Sequence, residues 1–428
     1  MVEIFPEIKY DIVVVGGGAA GMAAAIFASK SGASVAVVEK NSCLGKKLCI
    51  TGKGRCNITN NCDRDDFFSN IPENPRFMYS PYSSFSNLDL IDFIESLGVK
   101  TVVERGGRVF PASGNAKEVR DALRNELKRL GVKVYYGCTA FDILIENGNA
   151  AGVKLSENGM VLHSKAVILA TGGLSYPGTG STGDGYRFAK NLGHRVTELV
   201  PALVGIDTKE TFVGELAGLT LKNCGIRFYE KTADGTAGKK IYEDFGEILF
   251  THTGISGPTV LSGSFFLNSQ EKRNIGISID LKPALERDVL DARILRDFGE
   301  FSKRQLGNAL SKLLPQSLIP VFIKLTGISP AKPVSEISKK ERGIIVSLLK
   351  NFELTFKSLR PVEEAIVTKG GVSVKDIDPK TMASKITGGL FFAGELIDVT
   401  GYTGGFNLTI AFSTGCLAGK SAAALAEK

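Results

Sequence analysis

The 428-residue sequence predicts an α/β, Rossmann-like fold interrupted by an inserted domain that has a β-barrel-like part and a helical part. Three observations carry this. At the start, the β-branched run Ile12–Val15 drops directly into Gly16-Gly17-Gly18-Ala19-Ala20-Gly21; an alanine-rich segment follows to Lys30, Gly32 stops it, and Val35–Val38 ends on Glu39. That is a strand, a tight turn, a helix, a second strand and an acid. Near the far end, a Gly388–Glu395 strand runs through Gly401–Asn407 into an Ala/Gly-rich helix from Leu408 to Ala426. Between them, after His194, β-type segments give way to a Leu/Lys-rich helical stretch.

In the opening element each glycine has its own steric task. Gly16 permits the turn, Gly18 lets the backbone approach a pyrophosphate, and Gly21 lets the helix lie close on the strand. The helix N-terminus adds free N–H groups and roughly half a positive charge. Glu39 ends the second strand, where a carboxylate accepts from a ribose hydroxyl. The loop Gly45–Asn60 follows, rich in small residues, hydroxyls, amides and cations, and Gly45, Gly52 and Gly54 with Arg55 and Asn57 suit it to wrapping an anionic cofactor.

Further on, a helix is expected over 87–97, strands around the turn Gly106-Gly107, a helix over 115–130 capped near Ser113, and a parallel strand over 132–136. Strands near 140–146, 151–155 and 161–164, joined through Asn147-Gly148-Asn149 and Asn158-Gly159, form a β-meander on the parallel sheet. A buried strand ends in Ala170-Thr171-Gly172-Gly173, which again brings backbone to the dinucleotide. Gly178-x-Gly180-x-x-Gly183 repeats the glycine spacing but lies too far past its strand for a second nucleotide fold. The boundaries are 1–195 with 361–428 for the nucleotide domain and 196–360 for the insert, its β part about 196–282 and its helical part about 283–360.

Composition narrows the class. Hydrophobic content of 43% with 23% charge describes a globular chain, no apolar run approaches the roughly 20 residues of a membrane span, and the N-terminus lacks a signal-peptide pattern, so a cytoplasmic location without membrane partners is expected. The net charge of +7 is scattered, which gives no patch calling for nucleic acid and leaves a small-molecule substrate as the expected partner. Seven cysteines make an odd count, and the spacing C-x5-C-x6-C-x5-C from Cys43 to Cys62 lacks the close pairs of a metal or iron–sulfur site, so no metal is expected. Cys56 beside Arg55 reads either as a reactive thiol, since a cation lowers a thiol pKa, or as ordinary packing.

A site completed by the far end of the chain, with a β-meander crossover, favours FAD over NAD. Asp398 can hold ribityl hydroxyls, and the helix N-terminus at Gly404, Gly405 and Phe406 can direct N–H groups at the flavin. The motifs VVVGGGAAG, GKGRCNITN, ATGGLSYPGTGSTGDGY, FTHTGISGP, TKGGV and GLFFAGELIDVTGYTGGFN together resemble the BaiN-type family of NAD(P)/FAD-dependent oxidoreductases over nearly the whole chain. That resemblance implies non-covalent FAD in a two-dinucleotide-type fold, with NAD(P)H as a transient donor. It implies FAD contacts from Gly16, Gly18, Gly21, Glu39, Lys47, Arg55, Asn57, Thr171, Gly172, Gly394, Asp398, Phe406 and Asn407, to which neighbouring positions add Ala20, Lys40, Gly52, Cys56, Glu395 and Gly405.

Members similar to this chain include a reductase of activated C=C bonds in bile-acid intermediates and an oxidase of aminoacetone. The expected reaction is therefore hydride transfer at flavin N5: NAD(P)H-dependent reduction of an activated C=C bond in an enone- or steroid-like substrate. An oxygen-dependent amine oxidase, an RNA-modifying flavoenzyme and a non-catalytic flavin-binding protein are the alternatives. Such a reduction needs a proton donor, and His252, Tyr176 and Tyr402 are the candidates. Substrate specificity is expected from the insert.

Overall fold

The computed structural model describes residues 8–156, 159–267, 273–302 and 304–428; Asn158, expected in a meander turn, and the first seven residues lie outside these. The described chain divides into two compact units. One comprises the chain up to Val200 together with Ala365–Lys428, and the other is Pro201–Glu364.

The first unit is built on a seven-stranded sheet. Its order is Lys133–Tyr136, Val35–Glu39, Ile8–Val15, Val161–Leu169, Asn149–Leu155 and Ala140–Glu146, with Leu390–Phe392 also pairing with Val161–Leu169. The parallel registers set Val15 opposite Val38 and Leu169, and Phe392 opposite Leu169. Five strands thus release their chains at one edge, since Tyr136 also stands opposite Glu39, and Gly16, Glu39, Gly137, Ala170 and Ala393 emerge there together. This is where an open α/β sheet binds its ligands. The strand after the meander differs from expectation: Val161–Leu169 is one continuous strand whose first half pairs antiparallel with Asn149–Leu155 and whose second half pairs parallel with Leu390–Phe392.

Two helices cover one face. Ala19–Lys30 and the C-terminal Phe406–Ala426 pack backbone to backbone because the contact residues are glycine and alanine; a Cβ at Gly415 or Gly419 would stand 2.3 Å from the carbonyl oxygen of Ala20 or Ala24 respectively. Phe406–Ala426 is long and apolar enough to cross a membrane by length and composition, but most of it is buried within the protein. The helix Ala116–Arg129 is capped by Asn115, whose side chain accepts from the Lys117 amide, and not by Ser113, which donates to Glu118.

The second unit is a closed barrel, Ile206–Thr208, Gly254–Ser256, Ala237–Phe250, Thr220–Lys231, Ile275–Asp280 and Phe352–Leu359, with helices including Arg287–Glu300, Ile319–Thr326 and Lys339–Lys350. Phe228, Ile248, Phe250, Ile277, Ile279, Phe352 and Leu354 are among its buried side chains. The expected helical stretch to 360 is corrected here. Phe352–Leu359 is a strand that pairs with both Ile275–Asp280 and Ile206–Thr208 and so closes the barrel.

Candidate functional site

At the carboxyl edge of the first unit's sheet lies a partly open cavity. One wall is the Gly16–Ala20 turn. Gly16 adopts φ +102°, a left-handed conformation, and an added Cβ would stand 2.5 Å from the Ala170 carbonyl oxygen. Gly18 has open space around it, with no atom within 4 Å of a Cβ position, and borders the cavity. Gly21 does not border it: a Cβ there would stand 1.8 Å from the Gly16 carbonyl oxygen, so its role is to seat the helix against the turn.

Glu39 borders the cavity and is held from two sides. Oε2 accepts from the Gly17 amide at 2.8 Å, while Oε1 accepts from the Asn41 amide and Nδ2 at 2.8 and 2.7 Å. Lys40, beside it, pairs with Asp184 at 2.6 Å. Burial pushes the Asp184 carboxyl up, but Lys40, Thr182 and Arg187 outweigh it and hold the group below its ordinary value.

The opposite end is organised around Glu395, which follows the Leu390–Phe392 strand. Oε2 pairs with Lys47 Nζ at 2.6 Å; Oε1 accepts from the Thr368 amide and Ser175 Oγ, both at 2.9 Å; and Lys47 also donates to Ser175 Oγ at 2.5 Å. Thr171, Gly172, Gly394 and Asn407 border the cavity as well, and the Thr171 Oγ1 is buried without a hydrogen-bond partner among the described residues. Asn407 is locked by its own loop, accepting from the Gly401 amide and donating to the carbonyl oxygens of Gly401 and Tyr402.

Several expected contacts are corrected. Past Thr51 the chain reverses through left-handed Gly52, Lys53 and Gly54, which turns the rest of the loop away from the cavity. Arg55 leaves to form a bidentate pair with Glu104 at 2.9 Å, its guanidinium 4.0 Å from the Phe110 ring centroid. Cys56 is fully buried, and that burial pushes its thiol to about 12, so it is not a reactive thiolate. Asn57 does not border the cavity, although its buried Oδ1 has no partner among the described residues.

Asp398 is likewise off the cavity wall; its backbone pairs with Val372 and Asn74, and burial, then Glu73, raises its carboxyl. Gly405 and Phe406 pack at the start of the C-terminal helix, with Gly405 against Thr59. None of the expected proton donors borders the cavity either. Tyr176 is exposed in a left-handed turn, Tyr402 donates its amide to the Asn70 carbonyl oxygen, and His252 is exposed in the second unit between the strands Ala237–Phe250 and Gly254–Ser256.

The cavity also contains residues that sequence reasoning passed over: Asn41, Cys138–Ala140 just beyond the Lys133–Tyr136 strand, Thr368, and Thr179–Ser181. The last group lies in the glycine repeat that was set aside as a nucleotide fold. It belongs to the first site, where it forms part of the rim.

An FAD molecule suits these walls. A glycine turn open at Gly18, the N-termini of two helices at Ala19 and Asn407, an unpartnered Thr171 hydroxyl, and the Lys47 cation supply donors for a diphosphate and for polar ring edges. The fold and site together define a Rossmann-type flavoprotein. Residues 10–421 match the HI0933-like protein Rossmann domain. The chain is 32% identical over 416 residues to 3-dehydro-bile acid delta(4,6)-reductase of Clostridium scindens, covering 96% of this chain and 98% of that one. It is also 32% identical over 407 residues to a ribosomal RNA dihydrouridine synthase of Haemophilus influenzae, covering 94% and 96%. Among solved structures, 3-ketosteroid-delta4-(5alpha)-dehydrogenase of Rhodococcus jostii shares the fold at a TM-score of 0.52 and 16% identity, over 99% of this chain and 98% of that one. The chain belongs to the HI0933-like Rossmann flavoprotein family, and with it to the FAD-dependent oxidoreductases.

Proposed function

We propose that the protein reduces a carbon–carbon double bond conjugated to a carbonyl, in a small enone- or steroid-like substrate, with NAD(P)H supplying the electrons. One observation carries the reading. Two relatives that align along more than nine-tenths of the chain are named for reactions on unlike molecules, a steroid and a nucleobase. The bonds they saturate are chemically alike, because the 4,6-diene of a 3-oxo steroid and the C5=C6 bond of uracil are both conjugated to a carbonyl.

When bound, FAD supplies a two-electron carrier able to pass hydride to the carbon β to that carbonyl. The chain's part is to hold and surround it. The Gly16–Ala20 turn and Glu39 take the nucleotide half, and Glu395 fixes the other end by holding Lys47, Ser175 and the Thr368 amide in one network. Lys47 Nζ thereby keeps protons and positive charge at the wall, where hydrogen bonding to a reduced ring or an enolate oxygen is favourable. Anaerobic stopped-flow mixing of the FAD-loaded protein with NADH or NADPH should bleach the flavin band. If neither does and a primary amine does, the protein is an amine oxidase.

The H. influenzae relative favours a second reading, in which the double bond is that of a uridine in ribosomal RNA. In the barrel unit, a groove is lined by Arg304, Gln305, Asn308, Gln316 and Lys324, the last 3.9 Å from Glu215, and such side chains suit contacts to phosphate and sugar. Mass spectrometry of rRNA nucleosides from cells with and without the gene separates the readings: dihydrouridine lost with the gene and restored by it selects RNA, and an unchanged level selects the small molecule.

A further inference from the structure

Two segments that border the cavity are tied together by contacts that holding a cofactor does not itself require. Lys40, immediately after Glu39, reaches across 144 positions to Asp184 Oδ2 at 2.6 Å and also donates to Thr182 Oγ1, which in turn donates to Asp184 Oδ2 at 3.0 Å. Asn41 Nδ2 donates to the Thr179 carbonyl oxygen at 3.0 Å while holding Glu39 Oε1. Gly180 lies so close to Asn41 that a Cβ would stand 2.5 Å from Nδ2. Thr179, Gly180, Ser181 and Asp184 border the same cavity as Glu39 and Lys40.

We propose that Lys40, Thr182 and Asp184 form a clasp that closes the 177–184 segment over the ribose end of the FAD site, and that opening this clasp limits the rate of cofactor release. In folds of this kind the acid at the end of the second strand takes the ribose. Here the residue next to that acid is bound across the cavity mouth, so a nucleotide seated at Glu39 leaves past the clasp. The pair is only partly buried, at 26% and 32% side-chain exposure, so salt weakens it. The inference concerns retention of FAD and is independent of which double bond is reduced.

The experiment follows the rise in FAD fluorescence after rapid dilution of the FAD-loaded protein. Asp184→Asn should release FAD about fivefold faster than the unmodified chain, the upper range for a partly exposed pair, and so should the unmodified chain in about 1 M salt. The exchange K40D with D184K should restore the rate to within about twofold. Melting temperatures of the FAD-free variants, expected to be unchanged, separate clasp opening from loss of fold. Wild-type release rates for both Asp184→Asn and the high-salt sample would overturn the clasp alone. So would an exchange variant as fast as the single one, which would mean that Lys40 acts on FAD directly. Failure of the unmodified chain to bind FAD at all would overturn the cofactor assignment along with it.

Discussion

Two glycines three residues apart, Gly18 and Gly21, separate ligand binding from folding. Gly18 has φ −76° and no neighbour within 4 Å of a Cβ, so Gly18→Ala should change stability by less than about 0.5 kcal/mol while placing a methyl group in the cavity. Gly21→Ala drives its methyl into the Gly16 carbonyl and should cost about 3 kcal/mol. Denaturant unfolding and flavin absorbance of the purified variants should show the first as stable as the unmodified chain but poor in FAD, and the second folded but with its unfolding midpoint clearly lowered. Cys56 offers a simpler check: with its thiol at about 12, it should resist alkylation at neutral pH until the chain is unfolded, as mass spectrometry would show. Sequence alone placed Cys56 beside a cation and so admitted a reactive thiol. It carried no sign that Arg55 turns to Glu104 and Phe110 while Cys56 turns inward, because that depends on a reversal at Gly52–Gly54.

Asp398 shows how a group can weaken the FAD-free fold. Burial and Glu73 raise its carboxyl above the ordinary value, so its favourable contribution is present below the unfolded-state value near 4 and is lost as pH rises through the folded one. Asp398→Asn should therefore stabilise the FAD-free protein at neutral pH and make no difference in acid below about pH 4, measured by thermal melting across pH.

At the scale of elements, the loop after the second strand divides into a half at the cavity, Gly45–Leu48 with Thr51, and a half turned from it. Arg55→Ala should thus leave FAD occupancy unchanged. Glu395→Gln should lower it, and by depriving Lys47 of its anion should also cost about 1–2 kcal/mol of stability. Equal FAD loss in both variants, read by absorbance, would contradict this division. The opening strand–turn–helix–strand was legible because short-range pattern determines it: a β-branched run, glycines at fixed offsets and an acid at the strand end. Phe352–Leu359 was not legible as a strand. Its alternation of buried Phe352, Leu354 and Phe356 is plain, but it follows directly on a Lys/Leu-rich helix, and only pairing with strands some 75 and 150 residues earlier makes it part of a barrel.

For the whole molecule, the decisive fact is that strands from five places in the chain end together at Gly16, Glu39, Gly137, Ala170 and Ala393. Sequence indicated three of these ends from their glycines and acids, and correctly assigned the far end of the chain to the same site. Hydrogen-bond partnership was hidden from it. Glu395 holds Lys47 at the wall because the Leu390–Phe392 strand ends two residues before Gly394, whereas at Asp398, expected at the ribityl chain, the backbone has folded back onto Val372. The proton donors were sought in glycine-rich loops expected near the flavin, Tyr176 and Tyr402, and at a strand end of the insert, His252, and none of the three borders the cavity.

Reduction of a conjugated double bond is tested by mixing the FAD-loaded protein, first reduced anaerobically with dithionite, with a 3-oxo-4,6-diene steroid or a uridine-containing rRNA fragment. Return of the oxidised flavin spectrum, together with a product two mass units heavier from either substrate, is the predicted result. Flavin that stays reduced with both and reoxidises only when air is admitted would contradict it.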